Sequence, residues 1–195
     1  MALPPVSEDP VMRQQQTFRA LLAALSHPGT ACPLPLAGDA PPAAILKAVL
    51  TTLLDHEVGF ALADAHMAAV SAEQITHWTH SPRLPVDQTD FLLVAGPDSA
   101  GRVLDLPRGT PQMPDQGATA IYLAPPDAAA GTRIALSGPG IPPEGRVVSI
   151  FGISADEMDA IRQVNLERPM GVDCFFLQPG PSVIGLPRSV SIGKG

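Results

Sequence analysis

The stretch Leu166 to Ser189, LERPMGVDCFFLQPGPSVIGLPRS, leaves the chain the fewest structural options. Pro169 has no amide hydrogen to give a helix and biases Arg168 away from the α conformation, so the preceding helix is expected to end at Arg168. Gly171 permits a sharp turn. Val172 to Leu177 is apolar except for Asp173. A run this short, rich in Val and Phe and bounded by turn signals, suits a buried strand. Gln178-Pro179-Gly180-Pro181 reads as a turn, Ser182 to Leu186 as the returning strand, and Pro187 as its stop. Three charges, Arg168, Asp173 and Arg188, therefore fall at seams where elements meet loops.

Upstream, helices and strands alternate. Residues 1–8 read as a loose tail. Asp9-Pro10 is a helix start, a capping carboxylate followed by proline at the first helical position. Phe18, Leu21, Leu22 and Leu25 share one face of that helix, which stops at Ser26-His27-Pro28-Gly29. Thr30 to Leu36 reads as an edge strand, because Pro33 and Pro35 remove ladder donors. A second helix starts within Asp39 to Pro42. It turns Ile45, Leu46, Val49, Leu50, Leu53 and Leu54 inward and Lys47 outward. Val58 to Ala63 is a buried strand. A third helix covers His66 to Thr79 with Met67, Val70, Ile75 and Trp78 apolar. Alternatively it begins afresh at Ser71, with Gln74 completing a capping box.

The second half is richer in strands. Phe91 to Ala95, Ala118 to Leu123, Thr132 to Ser137 and Arg146 to Ile150 read as extended, the second broken by Pro125-Pro126, and Asp98 to Leu104 as a short helix. Leu106 to Gly117, LPRGTPQMPDQG, is a polar, proline-rich loop of a length that is often functional or partner-binding. Ser154 and Glu157 form a capping box for a helix with Met158, Ile161 and Val164 on one side. The expected architecture is one α/β domain over 1–195, a mixed sheet of about seven strands flanked by four or five helices.

Net charge is −7 with only two lysines, Lys47 and Lys194, and no basic run, which argues against nucleic-acid backbone binding. Neither lysine is placed to hold pyridoxal phosphate as a Schiff base. Cys32 and Cys174 sit in no metal or redox spacing and are expected to be free thiols in a reducing cytosol. Cys174 lies in an apolar strand, where burial keeps a thiol inert. His77 and His80, with Asp64 and His66 upstream, make the most metal-like cluster, though two surface histidines at a helix end are commoner. Gly138-Pro139-Gly140 follows a strand but opens no helix, so it reads as a turn rather than a phosphate loop. Arg108, Arg168 and Arg188 each lie beside a proline at an element's end. They read chiefly as salt-bridge or carbonyl-capping residues, with Asp173 or Glu167 as neighbour, and alternatively as an arginine cluster for a phosphorylated ligand. Charged residues are 16% of the chain, against about 25% in typical domains. That poverty fits either a partner-covered surface or a simple Ala/Pro bias. No signal peptide is expected from Met-Ala-Leu-Pro-Pro, and no apolar run is long enough to span a bilayer.

FRALLAALSHPG (Phe18 to Gly29), the apolar helix end Leu50 to Asp55, PDQGATAIYL (Pro114 to Leu123), IALSGPGI (Ile134 to Ile141), ERPMGVD (Glu167 to Asp173) and LPRS (Leu186 to Ser189) together resemble the PhnH family. PhnH is a subunit of the bacterial carbon–phosphorus lyase system. The likeness runs from about residue 12 to 190. The tail departs from it, and Met170 and Val172 are conservative variants within it. The resemblance implies a fold like the large domain of pyridoxal-phosphate transferases without the cofactor, a homodimer when isolated, and a cytoplasmic core complex with PhnG, PhnI and PhnJ. It further implies a non-catalytic role, with PhnG, PhnI and PhnL, in moving the ribose triphosphate of ATP onto a phosphonate. No catalytic, cofactor or metal residue is carried over. Arg108, Met113, Arg168, Asp173 and Arg188 stand as ligand or interface candidates.

Overall fold

The computed structural model describes residues 9–64, 70–125, 128 and 130–195. The tail at 1–8, the His66 and Met67 positions of the longer helix reading, and the Pro126 strand break lie outside the described residues. Among the described residues the elements in chain order are α1 (Pro10–Ser26), β1 (Cys32–Pro33), α2 (Pro42–Leu53), β2 (Phe60–Leu62), α3 (Ala72–Thr79), β3 (Phe91–Ala95), β4 (Thr119–Leu123), β5 (Gly131–Ser137), β6 (Arg146–Phe151), α4 (Ala155–Val164), β7 (Asp173–Gln178), β8 (Ser182–Leu186) and β9 (Ser191–Lys194).

Two sheets replace the single sheet of about seven strands expected from the sequence. Six strands run in the order β1-β8-β7-β4-β3-β2, and β6-β5-β9 form a separate antiparallel sheet. In the larger sheet β2, β3, β4 and β7 are parallel, while β8 and then β1 pair antiparallel. Alternation along the strands divides the core. Leu93, Ile121, Leu123, Phe175 and Leu177 face α1, α2 and α3. Leu92, Val94, Tyr122, Cys174 and Phe176 face the small sheet and α4, through Ile134, Leu136, Ile150, Met158 and Ile161. Both faces of the central strands are buried, so their sequences read as continuous apolar runs.

Several local readings change. Asp9 caps α1 as expected, its Oδ1 accepting from Val11 N at 2.9 Å. The face α1 buries is Thr17, Leu21 and Ala24, however; Phe18 and Leu22 are 51% and 55% exposed. The inward face is set by close approach to the sheet, since Gly185 on β8 has Ala24 backbone where a Cβ would stand. Small residues at that contact outrank large ones. Helix α3 begins after Ser71, with the full capping box to Gln74 present, so the alternative start is the observed one. The helix expected over Asp98 to Leu104 is a 3-10 turn, Arg102–Asp105.

Helix α4 stops at Val164, not Arg168. Asn165 ends it: its carboxamide accepts from Val172 N at 2.7 Å and donates to Val172 O at 3.0 Å, standing in for a strand partner. The Ser154 cap is made, but the reciprocal half of its box is not seen. Glu157, 3% exposed, turns inward and accepts the Tyr122 hydroxyl at 2.6 Å. Tyr122 in turn stacks on Phe176 with centroids 5.1 Å apart. Strand β9, absent from the sequence reading, pairs with β5.

Candidate functional site

Asp173 opens β7, and Arg188 follows β8 after Pro187, so the β7–β8 hairpin brings the two together. The Asp173 carboxylate accepts from Arg188 N at 2.7 Å, from Nε at 3.2 Å to each oxygen, and from Nη2 at 2.6 Å. The guanidinium also donates through Nη1 to Pro114 O and through Nη2 to Gly117 O at 3.4 Å. One arginine thus ties the end of the 106–117 loop to the hairpin. Gly117 is required there, because a Cβ would collide with the Arg188 guanidinium and the Gly171 carbonyl.

The loop folds back on itself. Arg108 bridges Gly117, Ala118 N donates to Pro107 O at 2.8 Å, and Thr110 and Met113 exchange two backbone hydrogen bonds of 3.1 Å. Among the described residues Arg108 has no carboxylate partner. Its Nη2 donates to Leu104 O at 3.2 Å, and its carbonyl accepts from Gly171 N at 2.9 Å. Met113 stands at the tip, 48% exposed. This knot lies at the amino ends of the parallel strands, beside Thr119 and Asp173. Ligands of open α/β sheets collect at the opposite, carboxyl ends. The geometry is that of a fastened, presented loop.

Arg168 is elsewhere. Its Nη2 donates to Ser191 Oγ at 2.6 Å, and with Arg162, Asn165 and Leu166 it lines a cavity of about 530 Å³ that has no carboxylate in its wall. Among the described residues no hydrogen bond or salt bridge joins Arg168 to the Arg188 knot, so the three arginines do not form one cluster. A larger cleft of about 620 Å³ beside β2 carries Arg83 and Arg102, which sequence reasoning passed over, but Asp87 and Asp105 share it and cancel their charge. Spacing could not have found this cleft, since its walls come from three segments separated in the chain by α3 and β3.

The other candidates resolve locally. Cys174 is fully buried, and burial chiefly, then the charges of Asp173 and Glu157, push its thiol well above the usual range. Burial also raises Cys32. Lys47 is exposed with its Nζ 5.0 Å from the Trp78 ring centroid, a cation–π contact. Gly138 and Gly140 take positive φ, and Gly140 packs against the Ser26 carbonyl. His80 is the left-handed C-cap of α3, and His66 lies outside the described residues. Among the described residues no three His, Cys, Asp or Glu gather as a metal site, and no helix is long and apolar enough to cross a membrane.

Comparison with known proteins adds two findings. The family model described as bacterial phosphonate metabolism protein (PhnH) matches residues 5–193. A Stutzerimonas stutzeri protein named as a C-P lyase subunit, HtxG, is 35% identical over 182 residues, which cover 92% of this chain and 86% of that protein.

Proposed function

The chain belongs to the PhnH family of bacterial phosphonate metabolism proteins, and we propose that it serves there as a structural, non-catalytic subunit of the carbon–phosphorus lyase core complex. In this reading it is one domain, akin to the large domain of pyridoxal-phosphate transferases without the cofactor. It works in the cytoplasm, pairs with itself when isolated and joins PhnG, PhnI and PhnJ. With PhnG, PhnI and PhnL it is required for transfer of the ribose triphosphate moiety of ATP to a phosphonate.

The supporting observation is how the seam charges are used. Arg188 and Asp173 occupy each other and the loop carbonyls, leaving neither free for chemistry, while the loop they fasten presents Met113 to solvent. An ordered loop with an exposed thioether at its tip suits docking, because thioethers adapt to a partner surface at little cost. The test is co-expression of the tagged chain with the other subunits, followed by a sizing column. Elution in one large complex, with the chain alone inactive toward ATP and phosphonate, is the expected result; elution as a lone dimer overturns the reading. Met113→Glu is expected to cut the co-purified partners roughly tenfold, since a charge placed in an interface costs 1.4 kcal/mol or more, about tenfold in affinity. Its melting temperature should stay within about 2 °C of the parent, as for a surface substitution.

A second reading is favoured by the carboxylate-free cavity lined by Arg162, Arg168 and Ser191. Arg162 is committed to Asp159 through Nη1 and to Ile192 O through Nε, so the Arg168 guanidinium and the Ser191 hydroxyl are the groups left to hold a phosphate or phosphonate. Calorimetry with ATP and with methylphosphonate, repeated on Arg168→Ala, tests it. Binding heat lost in the variant supports the site, and no heat at millimolar ligand ends it for the isolated chain.

A further inference from the structure

Helix α1 has two apolar faces. Thr17, Leu21 and Ala24 pack inward, while Val11, Phe18 and Leu22 stand 71%, 51% and 55% exposed. A single exposed apolar residue is ordinary, but these three are in line. From Val11 the steps to Gln15, Phe18 and Leu22 are four, three and four residues, and three more reach the half-buried Leu25. Steps alternating between three and four mark the seam along which one helix packs lengthwise on another. Helix α2 does not fill it. That helix meets α1 on the Gln14 flank, where Gln14 Nε2 donates to Thr51 O, and leaves the seam outside. On the other flank stand Met12, 45% exposed, and Arg19.

The seam is its own complement. Steps of four, three and four read the same in both directions, so a second α1 laid antiparallel meets this one position for position. The two-fold axis falls between Gln15 and Phe18. Val11 then lies level with Leu22 of the second copy and Gln15 with its Phe18, while Met12 lies beside the aliphatic stem of its Arg19. No seam position is charged, so no like charges meet. Antiparallel pairing also opposes the two helix dipoles, which a parallel pair would align. Val11, Met12, Phe18 and Leu22 together expose on the order of 400 Å², enough for the centre of an interface of about 800 Å² per partner.

We propose that the outer face of α1 is the self-association surface of this chain, joining two copies through an antiparallel helix pair in the Val11-to-Leu22 register. The same residues meet from both sides, as an isologous contact requires. Gln15 near the middle fixes the register at a cost in stability, as a polar residue in a helix seam does. The proposal rests on the reading that the isolated chain pairs with itself, and adds the face and the register.

Cysteine cross-linking tests the register in the full chain carrying Cys32→Ala. Val11→Cys combined with Leu22→Cys should give a covalent dimer on mild oxidation. The two positions are about 16 Å apart along one helix, too far to close within a chain. Either cysteine variant alone should not cross-link, because its two copies lie at opposite ends of the pair. Phe18→Glu tests the face. By symmetry the charge enters the seam twice, so self-association measured by sedimentation should weaken roughly 100-fold. Gln15→Leu should tighten it, a gain that misfolding cannot imitate. Cross-linking by the single variants, or by none, overturns the register. A dimer indifferent to Phe18→Glu and Gln15→Leu overturns the face. So does a Phe18→Glu variant that keeps its dimer but loses co-expressed C-P lyase subunits, which would assign the face to another subunit. A parent chain that stays monomeric even at about 100 μM removes the self-pairing reading and this surface with it, whereas a parent dimer unaffected by the variants removes the surface alone.

Discussion

Asp173→Ala is expected to lower the unfolding free energy by about 3 kcal/mol and to loosen the 106–117 loop at the same time. The substitution strands the Arg188 guanidinium, whose side chain is only 16% exposed, and removes the acceptor for Arg188 N. Breaking a fully buried pair costs about 3–5 kcal/mol, and partial exposure of this one puts the loss at the lower end. For a chain of this length that is a fall of roughly 8 °C in melting temperature. Asp173→Asn should lose about half as much, because its Oδ1 still serves the amide while the charge is gone. Arg188→Ala removes both tethers to Pro114 and Gly117, so hydrogen exchange in the loop should rise more than global stability falls. Arg188→Lys cannot restore the loop, since an ammonium lacks the planar fork that serves a carboxylate and two carbonyls together. A stability loss below about 1 kcal/mol for Asp173→Ala, with loop exchange unchanged, would show that the knot is not what orders the loop.

Stability should also fall steeply above about pH 9, which urea unfolding between pH 7 and 11 would measure. Tyr122, the single tyrosine, is held well above its ordinary range by burial first and then by the charges of Cys174 and Glu157. Cys174 and Cys32 are also raised, chiefly by burial. The sign is the same for all three. Each folded pKa lies above its unfolded value, so the unfolded chain releases its proton first as pH rises. Their stabilising contribution is complete below the unfolded values, about 8.5 for thiols and 10 for tyrosine, and is lost as pH climbs toward the folded ones. The slope is about 1.4 kcal/mol per pH unit for each group in its window. Cys174→Ala should remove one such increment from the slope between pH 9 and 10, even though the lost sulfur also lowers stability uniformly. A flat profile from pH 8 to 11 would contradict the burial of these groups. With only two lysines in the chain, few other groups compete in that range.

Much of the local structure was legible because it is encoded locally. Asp9-Pro10 starts α1, Ser71 and Gln74 start α3, and the β7–β8 hairpin falls at its turn, since capping and turn chemistry act over two to four residues. The placing of Arg188 beside Asp173 followed from the same hairpin. What remained hidden depended on contacts far apart in sequence. Phe18 and Leu22 looked like core by period, but the sheet surface beneath α1 admits Ala24 against Gly185 and leaves them outside. Glu157 looked like half of a capping box until Tyr122, 35 residues earlier, offered a hydroxyl. The division into two sheets, the pairing of β9 with β5 and the tie of Phe151 N on β6 to Gln178 are equally non-local.

By itself, then, the sequence determined the periodicity of the elements, their caps and turns, and the family to which the chain belongs. Only the tertiary structure decided which faces are buried, which arginine holds the 106–117 loop, and which buried amide is left without a partner among the described residues. The physical reason is that a cap or a turn is satisfied by groups a few bonds away, whereas a sheet edge or a buried carboxamide is satisfied or orphaned by whatever the rest of the chain brings beside it.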